Sequence, residues 1–301
     1  MAFFVTYFKI AVMHIKPDMR NLFLLFFLLS FFSSSAQYCH PSKPTTTLGG
    51  LFTPSHADFN IIPYPYLREA DVMWSKRIWR VIDMREKINH TLYFPVEPIP
   101  SRKSFMQMVM NALTCNAAKY QVTPYDVIDD EFTVRLTREE VIDKAFTKEE
   151  ISFETELGEI KDTTVDNPFD FSSVKRLRVK EDWFFDKQRS VFDVRILGVC
   201  PVLEKFDEMG EYKGEQPLVW LYFPELRMPM SITPIFNPNN DAATITYDHL
   251  FMKRIFSSYV FKESNVYDRK ISTYKQDLDL LLEGKRIEEE LFNYEQDLWE
   301  Y

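Results

Sequence analysis

The stretch Asp71–Asn89, DVMWSKRIWRVIDMREKIN, decides how the rest of the chain is read. Laid on a helix at about 100° per residue, Lys76, Arg80, Asp83 and Lys87 fall on one narrow polar stripe. Trp74, Ile78, Val81, Ile82, Met84 and Ile88 cover much of the opposite side. Asp83 and Lys87 form a favourable i,i+4 pair, Glu69 and Asp71 bring negative charge to the first turn, and Asn89 suits a left-handed stop. The spacing predicts an amphipathic core helix. Trp79 and Val72 land beside the polar stripe, so this aromatic next to Arg77 and Arg80 requires a second packing layer or a partner. Trp and Arg are enriched among interface anchors, which makes Arg77, Trp79 and Arg80 candidate partner contacts.

Upstream, Leu22–Phe32 is apolar apart from Ser30, follows Arg20 and leads into Ser33-Ser34-Ser35-Ala36. This predicts a signal peptide over 1–36 with cleavage before Gln37, and Met19 reads as a better start than Met1. Its loss removes Lys9, Lys16, Arg20 and Asp18 and takes the formal net charge from −9 to about −11. That leaves enough chain for one large domain or two small ones, without a later membrane-spanning run. An acidic balance argues against general nucleic-acid binding. Residues 37–65, rich in Pro, Thr, Ser and Gly, read as an extended arm. Phe52 and Phe59 join the interface candidates, because an arm that crosses a neighbour would cover them.

Downstream of the opening stretch, the three prolines of His90–Pro100 predict an irregular connection, and Ser101–Lys119 a helix capped by Ser101. Pro124–Asp130 reads as a helical turn or loop, Glu131–Leu136 alternates like a strand, and Thr137-Arg138-Glu139-Glu140 is a capping box opening a helix through Phe146. Lys148–Asn167 is a polar surface excursion. Val174–Phe185, Phe192–Val202 and Leu218–Phe223 read as strands of an antiparallel meander that buries Cys200, and Lys205–Gln216 as a charged connection. A turn at Asn237–Asp241, a helix over Tyr247–Tyr259 and a long acidic helix over Thr273–Tyr301 complete the chain. The six residues from Phe251 echo those from Trp74, as two halves on one plan would. The fold class is α+β: an antiparallel β meander packed with several helices, a globular domain over 66–271, a C-terminal helix over 272–301 and an extended N-terminal arm.

Catalytic signatures are missing. Seven glycines form no phosphate loop or nucleophile elbow, and His40, His56, His90 and His249 are scattered without metal-ligand spacing. This points to a protein without cofactor or metal that binds other proteins rather than an enzyme. Cys39, Cys115 and Cys200 permit at most one internal disulfide; Cys115 and Cys200 are either bridged or two buried thiols. A second class stays open: a secreted carbohydrate-binding or glycoside-hydrolysing protein, with Trp183-Phe184-Phe185 and Trp220-Leu221-Tyr222-Phe223 as a sugar platform.

Four segments carry a resemblance: READVMWSKRIWRVIDMREKIN with LYFP at Leu92–Pro95, VKEDWFFDKQRSVFDVRILGVCPV at Val179–Val202, PLVWLYFPELR at Pro217–Arg227, and SSYVFKESNVYDR at Ser257–Arg269. Together they resemble the gliding-motility protein N family (GldN, also called PorN) of the type IX secretion system of Bacteroidetes. The resemblance implies a non-enzymatic periplasmic subunit that forms a ring with a GldK/PorK-type outer-membrane lipoprotein. It also implies contact with the periplasmic arm of a GldM/PorM-type motor and attachment to the outer membrane through the lipoprotein. It does not itself assign Arg77, Trp79 or Arg80 to a contact.

Overall fold

The computed structural model describes residues 61–97, 99, 102–114, 121–145, 148–154, 160–166, 169–207, 211–240 and 243–298. The fold is α+β, built on a sheet with strand order β11-β1-β5-β6-β8-β2, in which β7 also pairs with β6. Its members are β1 (Val72–Asp83), β2 (Pro124–Tyr125), β5 (Val174–Asp186), β6 (Val191–Phe206), β7 (Tyr212–Pro217), β8 (Trp220–Tyr222) and β11 (Tyr259–Glu263). All pairings are antiparallel. Two further pairs stand apart: the hairpin β3 (Lys148–Glu154) with β4 (Ile160–Asp166), and β9 (Pro234–Ile235) with β10 (Ile245–Thr246).

The opening stretch is therefore a strand and not a helix. β1 lies between β5 and β11, with Trp79 opposite Lys180 on one side and Lys262 on the other. The polar residues that share one helical stripe are divided by the pleat: Lys76 and Arg80 face one way, Asp83 the other. Ile78 through Ile82 are all buried, because both faces of the sheet are covered. A strand buried on both faces loses its alternation, which is the signal that would separate it from a helix. Its β-branched and aromatic content is the surviving strand signature. After β1, the stretch predicted to be irregular holds a single helical turn, α1 (His90–Tyr93), before the cis Phe94–Pro95 bond.

Among the described residues five further α-helices follow: α2 (Phe105–Thr114), α3 (Arg138–Ala145), α4 (Phe223–Ile232), α5 (Tyr247–Met252) and α6 (Asp277–Asp297). Ser104 rather than Ser101 caps α2, in a reciprocal box with Gln107 (N–H to Oε1 3.0 Å, N–H to Oγ 3.3 Å). The expected box at α3 forms, with the Thr137 amide donating to Glu140 at 2.7 Å and the Glu140 amide to Thr137 at 3.3 Å. Of the strand expected over Glu131–Leu136, only Arg135 forms a β-bridge, to Tyr125, and the residues before it make a turn. Asp129 accepts from the amides of Glu131, Thr133 and Val134, which removes those donors from any ladder.

β5 and β6 pair along nearly their full length, and Asp186 closes their turn by accepting from the Gln188 amide at 2.9 Å. The charged connection after β6 is in part β7, and the Leu218–Phe223 strand is only Trp220–Tyr222 before α4 begins. The helix expected over Tyr247–Tyr259 ends at Met252, and Tyr259 starts β11. The echo between Trp74 and Phe251 is thus a strand matched to a helix end, which removes the argument for two halves on one plan.

The main core lies between the sheet and α2, α4 and α5, around Ile82, Phe105, Val109, Val199, Leu226 and Phe251. α6 docks beside it through Ile78, Val260, Ile271, Ile287 and Leu291. Trp74 stacks on Tyr294 at 4.5 Å between centroids, and Arg80 pairs with Glu288. The acidic C-terminal run is therefore not a free tail. Gly284 makes the crossing possible, since a Cβ there would stand 2.6 Å from the Val260 carbonyl oxygen. Gly284→Ala is expected to lower the unfolding free energy by ~1–3 kcal/mol and to open α6 to protease. An unchanged urea midpoint would show that helix and strand are not in contact there.

Candidate interaction surfaces

On the sheet face away from the helices, Trp79 packs with Tyr125, Cys200 and Trp220, flanked by Phe132, Tyr222 and Phe261. The segment 121–136 covers this face. Phe132, at φ 62°, drives its ring against Gly198, where a Cβ would meet the ring Cζ at 2.5 Å. The Trp79 indole N–H donates to Asp130 Oδ2 at 2.9 Å, and the Lys262 ammonium lies 4.3 Å from the ring centroid. Lys180 projects into the same cluster, donates to the Asp130 carbonyl, and has its pKa lowered chiefly by burial. These contacts place Trp79 inside the folded monomer, which corrects its reading as a partner contact.

Arg80 is likewise consumed internally, donating to Ser258 Oγ at 2.8 Å and pairing with Glu288. Arg77 remains accessible on a bidentate pair with Asp182 (2.7 and 3.1 Å). It lines a cavity of about 390 Å³ with Glu131, Phe132, Lys180, Leu197 and Tyr222. Both cations of that cavity already face a carboxylate, Asp182 for Arg77 and Asp130 for Lys180. Phe52, Phe59 and Cys115 lie outside the described residues. Cys200 is a free, fully buried thiol whose pKa is pushed up to about 12 by burial.

The proposed sugar platform is largely internal. Phe184, Trp220, Leu221 and Phe223 are buried, and Trp183 is covered by the Arg254 guanidinium at 5.3 Å. Among the described residues no group of three His, Cys, Asp or Glu side chains is placed to hold a metal ion. Among them also, no helix is long and apolar enough to cross a membrane.

Among the surfaces of the described residues that present apolar side chains to solvent, three have well-supported backbones. At the end of the predicted arm, Tyr64 is seated between the guanidinium groups of Arg195 (5.4 Å) and Arg227 (5.1 Å), and Arg195 donates to the Pro65 carbonyl at 2.5 Å. Arg227 is itself fixed by a buried bidentate pair with Asp248 (2.8 and 3.2 Å). This seating leaves Ile62 and Tyr66 exposed on either side. After β11, Asn265 organises a loop by accepting from the Tyr267 and Arg269 amides and donating to the Glu263 and Arg269 carbonyls. On this loop Val266 is 98% and Tyr267 76% exposed, and Arg269 stacks on Tyr267 and Tyr274. The third surface is the outer side of α6. Sequence reasoning missed the last two, although Asn265 as a loop residue and the second apolar stripe of α6 are both visible in the sequence.

A protein-family model for "Gliding motility associated protein GldN" matches residues 67–300, most of the chain. The chain belongs to the GldN family. The match begins just before β1 and runs through α6, so every strand and helix described above lies within it. GldN proteins are structural gliding-motility components rather than a known enzyme family, and membership associates this chain with gliding motility and type IX secretion. No curated protein shows a significant match to the sequence.

Trp79→Ala is expected to cost ~3–5 kcal/mol of stability, with Arg77→Ala near neutral, measured by urea unfolding. A Trp79→Ala protein as stable as the parent would return Trp79 to the surface. Cys200 is expected to resist N-ethylmaleimide in the native protein and to react in concentrated urea without reductant, read by peptide mapping. Reaction in the native state would show that the thiol is reachable, and resistance in urea until reductant is added would show a bridge.

Proposed function

We propose that this GldN-family chain is a non-enzymatic structural subunit of the type IX secretion and gliding machinery, working in the periplasm. In this reading it forms a ring with a GldK/PorK-type outer-membrane lipoprotein and meets the periplasmic arm of a GldM/PorM-type motor. The family match across 67–300 carries the proposal.

Physical features support it. The aromatic clusters that could have served a ligand are spent on the core, and the exposed apolar side chains sit on well-supported elements instead. A ring requires head-to-tail contacts, hence two different faces on each subunit. The Asn265 loop and the segment around Tyr64 offer two such faces, since each presents bulky side chains on a backbone already fixed by hydrogen bonds or stacked guanidinium groups. Phe52 and Phe59, upstream of Tyr64 in the sequence, remain candidate partner contacts in this reading.

The test is purification of tagged chain from residue 37 out of solubilised envelopes, followed by sizing and identification of what accompanies it. The expected result is a megadalton particle holding one lipoprotein in near-constant ratio to the chain. Val266→Ser with Tyr267→Ser is expected to shrink that particle while the monomer keeps its thermal transition. Recovery of a lone monomer from the parent chain would overturn the ring reading.

A further inference from the structure

α6 has two apolar stripes, and the fold uses one. Leu280, Gly284, Ile287, Leu291 and Tyr294 face the sheet at spacings of four and three. Nearly opposite them, Leu278 (67% exposed), Leu281 (50%) and Leu282 (54%) cluster near the start of the helix and Phe292 (59%) lies on the same face toward its end. Lys285 and Glu289 fill its middle. A helix that already buries one stripe gains nothing in the monomer from the second, and four exposed large side chains along about four turns raise the cost of solvation.

The surrounding charge decides what covers it. Between Asp277 and Asp297 the helix carries eight carboxylates and two cations. Arg286, one of the two, is already held by Glu283 and Glu290. Asp279 and Asp297 flank the stripe on one side, Asp277 and Glu295 on the other. A second copy of the same face would bring carboxylates against carboxylates on both flanks, and an anionic bilayer would do the same. Positions 278, 282, 285, 289 and 292 follow the alternation of four and three residues by which helices interlock, with apolar side chains at both ends and Lys285 and Glu289 between them.

We infer that the outer face of α6 is a docking site for an amphipathic helix of another protein, with an aliphatic stripe bordered by Lys and Arg. The contact spans residues 278–292, about 21 Å of helix at 1.5 Å per residue, so the partner segment needs some four turns. The site goes beyond the ring reading and does not depend on it, since it is formed by a single folded chain.

The test uses three synthetic fluorescein-labelled helical peptides titrated with the full protein at physiological salt and read by anisotropy. The first carries a Leu stripe with Lys flanks, the second the same stripe with Glu flanks, the third Lys flanks with Ser in the stripe. Saturable binding of the first alone is expected, weakened at least tenfold by Leu281→Gln with Phe292→Gln. These side chains are exposed, and an unchanged thermal transition checks that the fold is kept. Independently, Glu289→Lys with Asp297→Lys is expected to weaken the first peptide and favour the second. Equal binding of the Ser-stripe or Glu-flanked peptide, or no effect of either double substitution, overturns the proposal. A dimer of the protein alone that Leu281→Gln with Phe292→Gln dissolves would also overturn it, by assigning the face to a second copy.

Discussion

β1 is a strand with covers on both faces, and its sequence puts charge into both of them. Arg80 points into the helical side and must find Ser258 and Glu288; Trp79 points into the other and must find a partner for its indole N–H, which Asp130 supplies. A buried polar group left without a partner costs more than the bond itself contributes, so these partners are obligatory. α6 is held in place partly because Arg80 needs Glu288. The turn that begins at Asp129 sits where it does partly because Trp79 and Lys180 need Asp130. Two elements far apart in the chain are thus positioned by one strand.

The same demand shapes the electrostatics. Asp83, at the end of β1, loses some favour for its charge through burial, but hydrogen bonds from Arg85 and Arg176 outweigh this and bring its pKa to about 2. Arg176 in turn reaches Glu215 on β7, and Glu204 on β6 takes Lys175 at 2.6 Å. Cations of the sheet are thus paired with carboxylates across strands, while α6 carries eight carboxylates against two cations.

Much of the fold was legible where residue types carry the signal. β5 and β6 read as paired strands although Gly198–Leu203 is buried without alternation, and Cys200 is buried, but in the cluster with Trp79 rather than on the face of Ile196. The capping box at Thr137 was readable because it is a local device. β1 was not, because two-sided burial leaves Ile78–Ile82 without alternation while Lys76, Arg80, Asp83 and Lys87 happen to match a helical period. The Tyr247 helix was overextended because the left-handed turn at Arg254 (φ 53°) has no glycine to announce it. Of the interface candidates, Arg77 stayed at the surface while Trp79 and Arg80 did not. Enrichment at interfaces and enrichment in polar cores are the same for Trp and Arg, and only the partner side chains separate the two.

The register of β1 has a consequence for how the chain assembles. Its neighbours are β5 and β11, and the residue opposite Arg80 on the outer side is Val260, far along the chain. A strand whose second neighbour arrives so late depends on contacts of long sequence separation, which slow folding. Until then VMWSKRIWRVID is a bare β-prone ribbon, the kind of segment that templates aggregation. Lys76, Arg77 and Arg80, interrupting the apolar residues and still without their carboxylate partners, would keep one unfinished copy from pairing with another. The cations that later fix α6 and the outer face thus first serve as guards of the unfolded chain.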